Sequence, residues 1–356
     1  MKHNRIILFV STLVLGMVSC KKDKDESSAP ALDPGILVLS EGQFQLNNSM
    51  LSYYNYSTGV STTDYFAKVN KSTGLGDTGN DMLIYGGKLY IVMNESGVVT
   101  VANARTGVKI TNISFKLADG TNREPRYIST YKNKVLVSAY DGKVSVIDTT
   151  SLAIENNINI GPNLEQMAVV GDKLYVAVSG ALNTVADSTV SVIDLTSMKE
   201  AQKIKVGYNP GYMTSDEFGN LYISCGPNFS GTIPSRLVKV STSTNSVVKT
   251  ADSVVGRIKY FNGSLYAAAS YYGVQTVRKL STTDFSQASA NFVVDGTKIV
   301  NPYNVTVDPG NGDVYVTDAK DYLTSGEVFC VDKNGNKKFS FSTSPAINPS
   351  TIVFIK

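Results

Sequence analysis

The chain has no tryptophan, a single histidine and three cysteines, and each scarcity closes a class of chemistry. The histidine is His3, ahead of the only strongly apolar stretch, so nothing after it can supply imidazole to a Ser-His-Asp or Cys-His site or to a metal. Cys225 and Cys330 lack CxxC or Cys/His spacing, which excludes a zinc site and a disulfide framework and leaves two small buried side chains. Charged residues are 18% of the chain against 42% hydrophobic, too apolar a balance for disorder. No segment sustains a 3.6-residue apolar period over a helix length, so helical solenoids are excluded. GxGxxG, Walker and EF-hand loops are missing. Asp308-Pro309-Gly310-Asn311-Gly312-Asp313 has the oxygen density of a calcium loop but no acidic residue closes it, and a hairpin turn explains it. No metal or cofactor is expected.

The first residues read as an export signal. Lys2 and Arg5 make a positive start and Ile6–Val18 an apolar stretch too short to span a bilayer, which needs about 20 residues. Met17-Val18-Ser19-Cys20 resembles a bacterial lipobox, so Cys20 is expected to carry the lipid, with residues 1–19 as signal and 20–33 as tether. Lys21-Lys22-Asp23-Lys24-Asp25-Glu26 resembles the tags that send lipoproteins to the outer face of the outer membrane. The membrane is then reached only through the anchor. Without Lys2 and Arg5 the formal charge falls from +3 to +1, which gives no field to attract nucleic acid.

What the sequence has in abundance is a repeat. A turn and an apolar strand recur as Gly87-Lys88-Leu89-Tyr90-Ile91, Asn133-Lys134-Val135-Leu136-Val137, Asp172-Lys173-Leu174-Tyr175-Val176, Gly219-Asn220-Leu221-Tyr222-Ile223, Gly263-Ser264-Leu265-Tyr266-Ala267 and Gly312-Asp313-Val314-Tyr315-Val316. A strand often opened by proline precedes each copy, as at Pro125, Pro162, Pro210 and Pro302, and two strands follow. Four short strands per roughly 45 residues, rich in Val, Ile and Tyr, is the pattern of a propeller blade. The N-terminal stretch supplies second, third and fourth strands (Ile36–Leu39, Met50–Tyr54 and the residues after Gly59) but no first. The chain ends on a lone first strand, Pro349–Phe354. Joined, they make a seventh blade beside six internal ones. The expected fold is all-β, a seven-bladed propeller of four-stranded blades over residues 34–356, closed between the two ends of the chain. The uniform period leaves no place to divide it into two domains.

Ile36-Leu37-Val38-Leu39-Ser40-Glu41-Gly42-Gln43-Phe44, Asn47–Tyr54 and Gly74-Leu75-Gly76-Asp77 resemble the opening of the YncE-like surface propeller lipoproteins of Bacteroidetes, with Ser40 where that pattern has asparagine. The resemblance implies a seven-bladed propeller at the cell surface. Some relatives capture cobalamin and pass it to a TonB-dependent outer-membrane transporter. It therefore suggests a small-molecule nutrient, a cobalamin-type corrinoid among them, and a transporter partner.

Loops entering each first strand and those between second and third strands share one propeller face, where their side chains converge around the axis. The entering loops offer Arg126, Tyr127, Asn163, Tyr208, Tyr212, Arg257, Tyr303 and Asn304. The other set offers Phe44, Asn94, Tyr140, Tyr271, Tyr272 and Tyr322. Tyrosine supplies rigid stacking area with a polar tip, asparagine reads amides and arginine reads phosphate, a mixture suited to a large, polar, partly planar ligand. The tyrosines of the Leu-Tyr steps belong to strand packing. Glu124, Glu165, Asp81 and Asp318 are the acids a carboxylate-dependent enzyme would use, although turn chemistry explains such residues as well. No catalytic residue is expected. The alternative to ligand capture is a rim that docks a protein or glycan through Phe44, Phe229 and Tyr272.

Overall fold

The computed structural model describes residues 29–180, 187–228, 230–253, 256–271 and 274–356. Cys20, Phe229 and Tyr272 lie outside the described residues, as does the side chain of Tyr271. Seven antiparallel sheets form a ring, six with four strands and one with three. The innermost strands, in blade order, are Gly79–Tyr85, Pro125–Tyr131, Leu164–Val170, Pro210–Ser215, Ile258–Phe261, Pro302–Val307 and Pro349–Ile355. Each of the six recurring turn-and-Leu-Tyr units lies in a second strand, and its Tyr or Leu is buried between blades. Stability comes from these blade-to-blade layers: Tyr90, Val92 and Val99 of the first blade pack on Ile128, Val137 and Ile147 of the second.

The seventh blade closes as the sequence predicts. Gly35–Ser40 pairs with Pro349–Ile355 on one side and with Met50–Asn55 on the other, setting Leu37 against Val353 and Val38 against Ile352. Its fourth strand is reduced to Ser61–Thr62. The expectation of four strands in every blade is corrected in the fifth, where three are assigned. Residues 286–294 occupy the outer place through a Leu280–Gln287 bridge and a 2.7 Å bond from the Phe292 amide to the Val277 carbonyl. Ser286-Gln287-Ala288-Ser289-Ala290-Asn291 has little β-propensity, and the Asn291 side chain accepts the Val277 amide at 3.2 Å in place of a ladder partner.

One local device recurs at the inner ring. Six innermost strands carry a β-bulge in their first residues, so that two residues stand where the neighbouring strand has one, or nearly so. In the fifth blade Gly256 and Arg257 take the same place just ahead of the strand, each bonded to Ala268. The residue before the strand is left-handed in five blades: Thr78, Glu124, Asn163, Asn209 and Asn348. Three are asparagine, the type that tolerates this conformation best after glycine. A left-handed step followed by a bulge turns two consecutive side chains toward the axis, which no regular strand can do.

Candidate ligand-binding basin

In five blades the first residue of the pair borders the loop-face basin, whereas Asn80 and Ser350 are buried; in all seven the second faces the central channel. Arg126, Glu165 and Tyr303, all first-position residues, line a basin of about 340 Å³ together with Tyr212, Arg257 and Tyr322. The second-position residues Asp81, Tyr127, Gln166, Tyr212, Arg257, Asn304 and Thr351 line a channel cavity of about 220 Å³ beneath it. Tyr212 and Arg257 border both spaces. The Tyr127 and Tyr212 rings meet edge to face at 6.4 Å between them.

Two constellations of the same composition stand on different sides of the axis. In one, Arg126 Nη2 donates to Glu165 Oε2 at 3.0 Å, Tyr140 Oη donates to Glu165 Oε1 at 2.8 Å, and the guanidinium lies 4.7 Å from the centre of the Tyr140 ring. Asn80 Oδ1 accepts from the other Arg126 nitrogen, and Asn80 Nδ2 donates to the Arg126 carbonyl at 2.5 Å. In the other, Arg257 Nη2 donates to Glu41 Oε1 at 2.8 Å, Tyr303 Oη donates to Glu41 Oε2 at 2.8 Å, and the guanidinium lies 4.5 Å from the Tyr303 ring centre. Burial opposes both guanidinium charges, yet the facing carboxylates and tyrosines outweigh it and hold both above the usual arginine range. Each clamp is rigid, electrically balanced and aromatic.

This pairing corrects one expectation. Arg126 and Arg257 do not wait for a phosphate, because each already spends its charge on a largely buried carboxylate. Of the sequence-predicted residues, Arg126, Tyr212, Arg257, Tyr303 and Tyr322 line the basin, Tyr140 builds a clamp, and Tyr127 and Asn304 face the channel. Four are elsewhere. Asn163 is the left-handed hinge before the third inner strand, and Asn94 is buried with its amide donating to the Pro125 carbonyl at 3.0 Å, tying two blades together. Tyr208 is half-buried outside the basin, and Phe44 stands on the rim.

Spacing along the chain does not reveal Glu41, because its partner Arg257 is 216 positions away; its place at the end of Gly35–Ser40 is the signal that could have found it. Among the acids considered for catalysis, Asp318 is fully buried and accepts the amides of Val300 and Asn301, while Glu124 is a hinge. Asp308 accepts the Gly310 amide, as a turn requires, and among the described residues no cluster of potential metal ligands occurs.

Asp81 behaves differently. Its carboxylate accepts the Met82 amide at 2.9 Å and the Ile128 amide of the next blade at 3.1 Å, yet burial pushes its pKa up to about 6, those bonds and the Arg257 and Lys259 charges only partly opposing it. A carboxyl whose folded pKa exceeds its unfolded value of about 3.9 favours the fold most when protonated. That contribution is complete below about pH 4 and is lost as the pH rises through 6. Unfolding free energy followed from pH 4 to 8 is expected to fall through this window in the wild type and to stay flatter in Asp81→Asn, the difference reaching ~3 kcal/mol at neutral pH. Parallel curves would show that Asp81 titrates normally.

Solved propellers share this architecture. A quinonprotein alcohol dehydrogenase-like protein from Bacteroides thetaiotaomicron is similar at 15% identity and a TM-score of 0.68, over 90% of this chain and 78% of that one. A candidate 6-phosphogluconolactonase from Bacteroides fragilis is similar at 14% identity and 0.64, over 91% and 98%, and one from Bacteroides uniformis at 14% and 0.63, over 91% and 100%. At such identities the likeness carries the fold alone. No curated protein matches the chain. A family model described as a domain of unknown function, DUF5074, matches residues 34–354.

Proposed function

The chain belongs to the DUF5074 family, and on that premise we propose that it is a non-catalytic capture protein, lipid-anchored at Cys20 on the outer face of the outer membrane, that binds a polar nutrient in the basin and delivers it to a TonB-dependent transporter. The observation that carries this reading is the pair of Arg–Glu–Tyr clamps flanking one concavity. Balanced charges disfavour an ionic guest, while tyrosine and guanidinium faces favour a flat one with neutral hydrogen-bonding arms. A cobalamin-type corrinoid has that chemistry: a planar ring fringed with amides. At about 340 Å³ the basin is at the small end of ligand sites, so it grips an edge of such a ring and its arms while the rest lies on the rim.

Absence of turnover is supported by the carboxylates. Glu41 and Glu165 each have both oxygens engaged by an arginine and a tyrosine, which leaves neither placed as a general acid for glycoside cleavage.

Isothermal titration with cobalamin, cobinamide and haem tests the reading. Cobalamin and cobinamide are expected to bind with similar affinity, because the phosphate that cobinamide lacks has no free arginine to meet. Haem, with two carboxylates, is expected to give no heat. Silence with both corrinoids would retire this ligand.

A rim observation favours a docked partner as well. Phe44 and Leu46 on the loop of the seventh blade, and Leu323 on that of the sixth, are 65%, 58% and 67% exposed. The first loop is held stiffly, its Gln45 and Asn47 amides donating to Asp77. Apolar side chains on a rigid support suit a protein surface such as the transporter's. Phe44→Asp with Leu323→Asp is expected to abolish transporter co-purification while leaving nutrient titration unchanged; retained co-purification places the contact elsewhere.

A further inference from the structure

Below the basin the channel cavity contains hydrogen-bond donors without acceptors. Lys259 lines it, two residues beyond Arg257 on the fifth blade; its side chain is exposed to the channel, and among the described residues its ammonium has neither a hydrogen bond nor an ion pair. Arg257 is 9% exposed, and its Nε is buried with no partner. The hydroxyls of Tyr127 and Tyr212, which border the same cavity, make no hydrogen bond among the described residues. Three of the acceptors there are already engaged. Asp81 takes two backbone amides, Gln166 Oε1 takes the Met213 amide at 2.8 Å, and Asn304 Oδ1 takes the Val305 amide at 2.8 Å. At the level of Lys259 four of the other six innermost strands place the small residues Ser129, Ala168, Thr214 and Thr306, while Leu83 and Val353 stand at that level on the remaining two.

We infer that the channel holds a second ligand site, centred on Lys259 and distinct from the basin, that takes the carboxylate of a small monoanionic acid. A carboxylate brings two acceptor oxygens for the Lys259 ammonium and the two phenols, and one charge for a cation without an ion pair. A dianion is disfavoured, because the Asp81 carboxylate shares the cavity and Glu41 already neutralises Arg257. The volume of about 220 Å³ admits a short-chain acid and no larger guest. Desolvation in the channel lowers the Lys259 pKa and the Asp81 charge opposes this only in part, so a further anion beside the ammonium stabilises it at the expense of repelling Asp81.

Acetate and propionate, titrated into the full chain by calorimetry and followed by melting temperature, test the site against chloride and inorganic phosphate. The carboxylates are expected to bind saturably, to lose about tenfold or more in affinity in Lys259→Met, to keep most of it in Lys259→Arg, and to be unaffected by Arg126→Met in the basin. Wild-type titration near pH 6 in two buffers of different ionisation heat gives a readout independent of any variant. Of the ionisable groups facing the cavity, Arg257 and Tyr127 are held above their usual ranges and keep their protons there, while the bound carboxylate raises the pKa of both Asp81 and Lys259, so net proton uptake is expected. No saturable carboxylate binding, unchanged affinity in Lys259→Met or absence of proton uptake would each overturn the site. Equal binding of chloride or phosphate would overturn its assignment to carboxylates. The outcome is independent of corrinoid binding, which reads the basin alone.

Discussion

A chain ending at Asn348 is expected to lose cooperative folding, or to melt about 15–25 °C below the intact protein. The missing strand Pro349–Ile355 buries Ile352 and Ile355 and carries Phe354, whose ring packs at 5.5 Å from Tyr315 of the sixth blade. Burying each such side chain contributes ~1.5–3 kcal/mol, so the strand accounts for ~5–8 kcal/mol, comparable with the whole stability of an ordinary domain at ~5–15 kcal/mol. The loss also uncovers one edge of Gly35–Ser40, a fully buried apolar strand that would then be open to pairing with another chain. The seam on the sixth blade is aromatic, Tyr54 stacking at 4.4 Å on Phe341 and 5.0 Å on Phe339, and it cannot hold the ring alone once the inner strand is gone. Thermal unfolding by circular dichroism decides the matter: equal melting temperatures would mean that the closing strand contributes nothing.

Arg257→Met is expected to cost ~3–5 kcal/mol of stability and to abolish binding in the basin. The side chains of Arg257 and Glu41 are 10% and 15% exposed, and removing the arginine strands a carboxylate whose other support is the Tyr303 hydroxyl. Breaking a buried pair is far more damaging than replacing both members, because the surviving charge keeps its desolvation penalty without its compensation. Adding Glu41→Gln to Arg257→Met is therefore expected to restore part of the loss, with a coupling energy of ~2 kcal/mol in a double-mutant cycle. Additive denaturation energies would show that the two side chains do not act as a unit.

The blade count and the closure were legible because they rest on a repeated pattern and on an arithmetic of strands that tolerates no remainder. The Leu-Tyr steps separated packing tyrosines from loop tyrosines correctly. Individual blade details were less visible: the fifth blade loses its outer strand to a run of small polar residues whose side chains compete with the ladder. The site was half legible. Arginine and tyrosine were found, but their charge state was not, since Glu41 and Glu165 reach them across blade boundaries that spacing along the chain does not reveal. Asn94 and Asn163 looked like ligand contacts because a loop asparagine that ties blades together has the same sequence surroundings as one that reads an amide. The bulges left a trace that is readable once known: two consecutive polar residues ahead of an apolar one, as in Arg126-Tyr127-Ile128 or Tyr303-Asn304-Val305, break the alternation of a strand.

The surplus residue at the head of the inner strands has a consequence for how specificity changes. Five spokes of the ring place two adjacent residues at the axis, one bordering the upper chamber and one the lower, inside the hydrophobic layers further out. Where such a residue carries no clamp, its substitution changes the lining of a chamber without altering strand length, turn or register, so under the proposed function a new guest can be selected one side chain at a time on an unchanged frame.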